Sequence, residues 1–263
     1  MTTHAQELVS MRSEGRVAVV TLNRPGHMNA ISGALADRLA VTFQEVARDS
    51  ETWAVVLTAA GETAFCAGAD LKERRRFSLE DFQRNRTSMR SMFGALRELP
   101  QPSIASTFGF ALGGGFELAL SCDLTVASED TVFGLPEARV GLFPAGGATQ
   151  LLTRAAGPRL AKEMIFTGRR FDAQRAKEIG LVVEVVGRAD LAGATMALAE
   201  EICRVSPVAV REAKGVIDAA LGAPLGQGLE LENDAWRRTV QSDDRAEGIA
   251  AFNDKREPRW RNR

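Results

Sequence analysis

The stretch Ser103–Asp123, SIASTFGFALGGGFELALSCD, constrains the rest of the chain. It opens as a β-branched apolar run, passes through a turn with four glycines, and closes as a short apolar helix carrying one acid, Glu117. A strand that feeds a glycine turn into a helix N-terminus presents unpaired backbone N–H groups and partial positive charge, which suits a developing oxyanion. Gly113, Gly114 and Gly115 lack a Cβ, so a ligand carbonyl can come close to the backbone there. Glu117 falls in the first helical turn, where the helix dipole favours its ionised form. The same residues also read as a tightly packed strand–helix corner with a solvated glutamate, and this stretch alone leaves both readings open.

The wider composition narrows the chemistry. With 263 residues, 45% of them hydrophobic and 25% charged, the chain has enough material for one large globular domain or a domain with an appendage. A formal net charge of −1 makes no case for a nucleic-acid or anionic-membrane partner. Cys66, Cys122 and Cys203 have no CxxC spacing, which points to a reducing compartment, and the N-terminus has no apolar leader. No run is long enough for a membrane span, so the expectation is a cytoplasmic protein. Only two histidines, His4 and His27, are present, which argues against a histidine-based metal site or a Ser-His-Asp relay. Neither GxxxxGK[ST] nor a strand-linked GxGxxG occurs. Catalysis therefore falls to carboxylates and backbone dipoles, with no metal or redox cofactor.

Along the chain, Arg16–Asn23, Trp53–Thr58, Ile104–Thr107, Leu124–Ala127 and Leu181–Val186 read as strands, and Asn29–Arg48 carries helical apolar spacing at Ile31, Leu35, Leu39 and Phe43. Leu71–Leu99 reads as one long helical region ended by Pro100 and Pro102. Strands alternating with helices give an α/β fold with crossover connections. Past about residue 190 the pattern is helical, with breaks at Ser206-Pro207 and Gly222–Pro224. The expected division is a core over 1–195 and a helical section over 196–263. That section is too thin for its own core, so it covers the α/β core or a neighbouring subunit.

A second glycine-turned strand end, Ala64–Asp70 (AFCAGAD), allows a two-donor oxyanion hole if the N–H groups of Ala69 and Gly114 face one cleft. Otherwise it is an ordinary βα turn. Cys66 within it has no histidine neighbour in sequence and reads as a small core residue. Glu137 follows Pro136 and leaves a rigid turn. Lying twenty residues after Glu117, it can converge with it as a general acid–base pair, or both can be unrelated surface acids. The basic run Lys72–Arg76 (KERRR) is a solvated face or a phosphate-neutralising patch.

Together LNRPGHMNA (22–30), AFCAGADLKER (64–74), ALGGGFELALSCD (111–123), FGLPEARVG (133–141) and DDRAEGIAAFNDKREPRW (243–260) resemble the crotonase superfamily, the enoyl-CoA hydratase/isomerase group. The resemblance spans essentially the whole chain. It implies a spiral of repeated ββα units followed by a helical trimerisation region, with subunits assembled as a homotrimer or a hexamer built as a dimer of trimers. It implies an acyl-CoA thioester substrate, the coenzyme A being part of the substrate, as in fatty-acid β-oxidation. The amides of Ala69 and Gly114 would hold the thioester oxygen. Glu117 would activate the water that attacks C3, and Glu137 would deliver a proton at C2. Gly26, His27 and Met28 match the loop lining the CoA entrance. Ala67, Asp70, Lys72 and Gly113 match positions near the bound substrate, and Phe252 and Lys255 match positions that reach a neighbour's CoA.

The family's PGxGGTQ turn reads here Pro144-Ala145-Gly146-Gly147-Ala148-Thr149-Gln150, which would strain Ala145 if it needed a positive φ. Pocket width is expected from the Phe77–Leu99 region and the Leu142–Phe143 loop. The expected activity is an enoyl-CoA hydratase, a lyase. Within the family the alternatives are a methylglutaconyl-CoA-type hydratase for branched or carboxylated acyl groups and a Δ3,Δ2-enoyl-CoA isomerase. Outside it, they are an RNA-binding protein using the KERRR face and a trimeric scaffold without catalysis.

Overall fold

The computed structural model describes residues 7–263, so His4 and the N-terminal leader reading lie outside the described residues. The strands are β1 (Val9–Glu14), β2 (Val17–Leu22), β3 (Ala54–Ala59), β4 (Ser103–Thr107), β5 (Phe110–Leu112), β6 (Leu124–Ser128), β7 (Val132–Gly134), β8 (Arg170–Asp172) and β9 (Glu184–Val186). The helices are α1 (Gly33–Arg48), α2 (Leu71–Arg74), α3 (Leu79–Arg97), α4 (Gly114–Ser121), α5 (Ala148–Ala156), α6 (Pro158–Thr167), α7 (Ala173–Glu178), α8 (Leu191–Cys203), α9 (Pro207–Ala220), α10 (Leu225–Gln241) and α11 (Asp243–Asp254).

Six strands form one sheet in the order β1-β2-β3-β4-β6-β9. The β1–β2 pair is antiparallel and the other neighbours are parallel. A smaller sheet pairs β5 parallel to β7, with β8 antiparallel at its edge. Bridges from Ala64 to Gly109 and from Cys66 to Ala111 add the 64–66 segment beside β5. Each turn of the chain thus contributes one strand to the large sheet and one short segment to the small one: β3 then 64–66, β4 then β5, β6 then β7. This is a ββα spiral, the architecture that the resemblance implies.

Parallel strands buried on both faces need near-continuous apolar sequence, and β2 (VAVVTL) has it. Its period of two sends Ala18, Val20 and Leu22 into the core under α1 and α3, and Val17 and Val19 into a second core on the opposite face. The first core takes Leu35, Leu39, Phe43 and Val46 from α1, the helical spacing seen in the sequence. Ser32 starts α1 by accepting from the Leu35 N–H at 3.2 Å, a cap worth about 1 kcal/mol. In the small sheet, the rings of Phe116, Phe133 and Phe171 pack with centroids 5.2 to 5.8 Å apart and fix α4 against it.

The structure departs from the sequence reading in four places. The helix expected from Asn29 begins at Gly33, because Asn29 is held at φ +52. The long helix over 71–99 is broken into α2 and α3 by a capping box in which Ser78 and Asp81 bond each other's backbone N–H. The strand expected over 181–186 narrows to Glu184–Val186. The division expected at 195 falls inside α8, whose Leu191 and Ala199 pack on the outer face of the large sheet. The chain leaves that face only after Cys203. Beyond it, α9, α10 and α11 bury few side chains and leave Ile217, Leu225, Leu229, Trp236 and Phe252 exposed.

Candidate active site

Two of the three spiral turns end their small-sheet segments beside each other. A Cβ built on Gly114 would stand 3.8 Å from the Ala69 nitrogen, and one on Gly68 would stand 3.4 Å from the Gly114 nitrogen. Neither the Ala69 nor the Gly114 N–H donates to an acceptor among the described residues. Gly68 at φ +94 makes this approach possible, since a side chain there would lie 2.8 Å from the Leu112 carbonyl oxygen. Gly113, at φ +53, turns β5 into α4. Two free donors therefore face one space.

The AFCAGAD loop is fixed from outside. Asn29, 1% exposed, donates to the carbonyls of Ala60 and Ala64 at 2.9 and 2.8 Å and accepts from the Arg24 N–H at 2.9 Å. Arg24 also bonds the Ala30 carbonyl and pairs with Asp70 at 3.1 Å. The Asp70 carboxylate caps α2 through the N–H groups of Lys72 and Glu73, both at 3.1 Å. Its oxygens are thus engaged in holding the loop.

Glu117 is buried at 3% exposure on α4. Its Oε1 accepts from three consecutive backbone N–H groups, Gly146 at 2.7 Å and Gly147 and Ala148 at 3.0 Å. Burial pushes its carboxyl above the ordinary range, while the N–H groups of Ala148, Gly146 and Gly147 and the charge of Arg86 oppose that shift. The dipole expected to dominate is outweighed by desolvation. Gly146 has no room for a side chain: a Cβ would meet the Phe93 ring at 2.5 Å and Glu117 Oε2 at 2.7 Å. Ala145 has a negative φ, and the strain anticipated for it does not arise.

Glu137 stands on the 3-10 turn Pro136–Val140 that follows β7. Its Oε1 would be 2.7 Å from a Cβ on Gly113, so the carboxyl lies directly over the start of α4. Its Oε2 is buried with no hydrogen-bond partner among the described residues. Burial and the nearby charge of Glu117 push its pKa up to about 7, against the opposing effects of its own N–H and Arg74. Two carboxyls thus share a site in unequal surroundings, one taking three backbone donors from a facing loop and the other only its own N–H.

Ala67, Ala69, Gly113, Gly114, Glu117 and Glu137 all line one cavity of about 730 Å³. Its far wall is apolar, from Leu71 and from Phe82, Met89, Phe93, Leu142 and Phe143, the last five in the two regions expected to set pocket width. Gly26, His27 and Met28 form a turn next to this cavity, where the Met28 carbonyl accepts from the Ala67 N–H at 3.0 Å. Lys72 is exposed at the start of α2. Phe252, 85% exposed, and Lys255 lie on α11 and its cap and do not line the cavity of their own chain. Cys66 is buried and burial pushes its thiol up to about 12, a core residue rather than a nucleophile.

The sequence reading placed Arg74 only within a basic run and gave Arg86 and Arg97 no role. Arg74 of the KERRR run lines the cavity and bonds the Asn85 amide oxygen at 2.9 Å, while Lys72, Arg75 and Arg76 are exposed. Arg86 and Arg97 on α3 reach the carbonyls of Ala145 and Gly146 at 2.7 and 2.9 Å. The capping box of α3 was readable as Ser78…Asp81; the arginine contacts to backbone carbonyls had no readable signature.

Among known proteins, the enoyl-CoA hydratase/isomerase family model matches residues 12–263. The Bacillus subtilis protein YngF, named for the same family, is 44% identical over 95% of this chain and 95% of its own. The short-chain-enoyl-CoA hydratase of Clostridium acetobutylicum is 37% identical over 94% of this chain and 95% of its own. The crystal structure of an enoyl-CoA hydratase from Bacillus anthracis superposes with a TM-score of 0.95 at 40% identity, covering 98% of this chain and all of that one. The hole of free amides, the paired carboxyls and the spiral that carries them belong to a chain that is a member of the enoyl-CoA hydratase/isomerase family.

Proposed function

We propose that this chain is an enoyl-CoA hydratase, a hydro-lyase that adds water reversibly across the C2–C3 double bond of a 2-enoyl-CoA. The observation that carries the reading is the unequal pair of carboxyls beside two free amides. The Ala69 and Gly114 N–H groups receive the thioester oxygen as negative charge develops on it, each donor worth about 3–4 kcal/mol in the barrier. Glu117, whose Oε1 accepts from three backbone N–H groups, takes a proton from water as the oxygen bonds to C3. Glu137, with its pKa raised to about 7, is protonated in a large share of molecules at neutral pH, and that form delivers the proton to C2. The pair then exchanges one proton with solvent to reset.

The test is hydration of crotonyl-CoA followed by loss of the conjugated enoyl absorbance. Rapid turnover by wild type that collapses in both Glu117→Gln and Glu137→Gln supports the reading. A Glu117→Gln variant at wild-type rate, or a wild type inert toward 2-enoyl-CoA thioesters, refutes it.

A second reading concerns the acyl group. Arg74 lines the cavity with a guanidinium whose one hydrogen bond among the described residues goes to a neutral amide, and this favours a carboxylated acyl group of the methylglutaconyl type. A higher kcat/KM for glutaconyl-CoA than for 2-pentenoyl-CoA would support it, and the opposite order would remove it.

The exposed apolar side chains of α9–α11 support an assembly of several copies. We propose a homotrimer or a dimer of trimers in which this region is covered, bringing Phe252 and Lys255 to a neighbour's CoA. Light scattering on the eluting species tests it, and a monomer at micromolar concentration would refute it. The free thiols of Cys66, Cys122 and Cys203 suit the cytoplasm. No described helix is long and apolar enough to cross a membrane.

A further inference from the structure

The loop that holds Glu117 is itself held at its carbonyl oxygens. Arg86 Nη1 donates to the Ala145 carbonyl at 2.7 Å, and Arg97 Nη1 donates to the Gly146 carbonyl at 2.9 Å. A carbonyl and the following residue's N–H belong to one planar, conjugated peptide unit. The Ala145 carbonyl is therefore one end of the unit whose other end, the Gly146 N–H, bonds Glu117 Oε1 at 2.7 Å. The Gly146 carbonyl is likewise joined to the Gly147 N–H, which bonds the same oxygen at 3.0 Å. The third donor, Ala148, belongs to the unit whose Gly147 carbonyl accepts from the Leu151 N–H at 2.9 Å as α5 begins.

All three peptides that face Glu117 are thus engaged at both ends, two by arginines and one by a helix. A cationic donor on the carbonyl draws electron density toward it and makes the N–H a stronger donor. Chained hydrogen bonds polarise one another by about 10–30% per bond. Arg86 and Arg97 keep part of their side chains open to solvent, which screens their bare charge but leaves the bonded path through the peptide intact. The charged groups that act on Glu117 are Arg74 from α2, Arg86 and Arg97 from α3, and Glu137 from the turn after β7.

We propose that Arg86 and Arg97 are positioning residues which act on Glu117 through the Ala145–Gly146 and Gly146–Gly147 peptides, holding it as an ionised base without touching it. This rests on the reading of Glu117 as the general base. Arg97 also reaches Ser121 Oγ at 3.4 Å, on the helix that carries Glu117, and so ties loop and helix together.

The experiment compares Arg86→Gln, Arg97→Gln and the double variant with Arg86→Lys and Arg97→Lys. Two quantities are read: the pH dependence of kcat/KM for crotonyl-CoA hydration, and an infrared titration of the Glu117 carboxyl band, identified by its loss in Glu117→Gln. Each Gln variant should lower the ionisation constant of Glu117 by about three- to tenfold. The acid limb then moves to higher pH, with activity recovering on its alkaline side. The Lys variants, which keep a charged donor, should restore most of the shift. A rate loss of equal size at every pH with an unmoved infrared titration would overturn the proposal and leave the arginines as loop supports. If Glu117→Gln hydrates at the wild-type rate, the base reading fails, and the infrared titration still decides whether the arginines govern the ionisation of Glu117. Should one Gln variant fail to fold, the other decides by the same criterion: a shifted Glu117 titration that its Lys counterpart restores upholds the proposal, and an unmoved titration refutes it.

Discussion

The surroundings of Glu117 and Glu137 differ in almost every respect although the two carboxyls share one cavity. Glu117 projects from a helix packed between the two sheets and meets three N–H donors from a loop about thirty residues away in sequence. Glu137 stands on a five-residue 3-10 turn at the cavity wall, with one carboxyl oxygen buried and unpartnered. Burial disfavours charge on both carboxyls; the first is offered three backbone N–H groups against it, and the second has one oxygen with no partner among the described residues. A single residue type thereby meets opposite surroundings, and the backbone around each carboxyl makes the difference.

The largest effect should come from erasing either carboxyl. Glu117→Gln and Glu137→Gln are each expected to lower kcat for crotonyl-CoA hydration by about 10²–10⁴-fold, read from the decay of enoyl absorbance. Comparable losses in both would support a paired mechanism, whereas a loss in only one would reduce the reaction to a one-carboxylate proton shuttle.

A smaller effect should follow from disturbing each site through its glycine. Gly146→Ala forces a methyl against Phe93 and Glu117, and Gly113→Ala forces one against Glu137 at a φ of +53. Misplacement on this scale costs up to about 10²-fold in rate. Gly146→Ala should move the acid limb of the pH profile, and Gly113→Ala the alkaline limb, if the two surroundings act independently.

The pH profile itself sharpens the contrast. The active pair must hold one proton, so kcat/KM should fall on the alkaline side as pH rises through about 7, where Glu137 ionises. It should fall on the acid side when Glu117 takes up a proton. Since hydration consumes no net proton, the profile must be the same for dehydration. Removing the Glu117 charge in Glu117→Gln should lower the Glu137 pKa, visible as an earlier carboxylate signal in an infrared titration.

The smallest effect concerns the turn alone. Arg139 anchors it by donating to the Thr167 carbonyl from Nε and Nη2 at 3.2 and 3.0 Å. Arg139→Ala should cost about 1 kcal/mol in urea unfolding and leave the acid limb in place.

Much of this was legible in the sequence where burial is strict. The β-branched runs of β2, β3, β4 and β6 appear because both faces are covered, and Pro207 and the Gly222–Pro224 segment punctuate the C-terminal helices. Strand β1 went unseen because it lies on the sheet edge and exposes Arg12, Ser13 and Glu14, leaving no apolar alternation. Strands β5, β7 and β8 are three residues each, shorter than any periodicity can register. In the site, the glutamates and glycines were readable because chemistry and close approach restrict residue type. The arginine contacts of α3 were not, because a guanidinium bonding a distant carbonyl looks in sequence like any solvated charge.

The spiral has a metric consequence. Ala69, Gly114 and Glu137 follow the small-sheet segments of three successive turns, at or just beyond their ends. Neighbouring strands sit about 4.8 Å apart whatever their side chains. The spacing of these groups is therefore a property of hydrogen-bonded backbone pitch, a ruler with one mark per turn. Substitutions can change which chemical group stands at a mark, but moving a mark requires repairing the strand register itself, so the cavity walls can diversify while the separation between hole and acid stays constant.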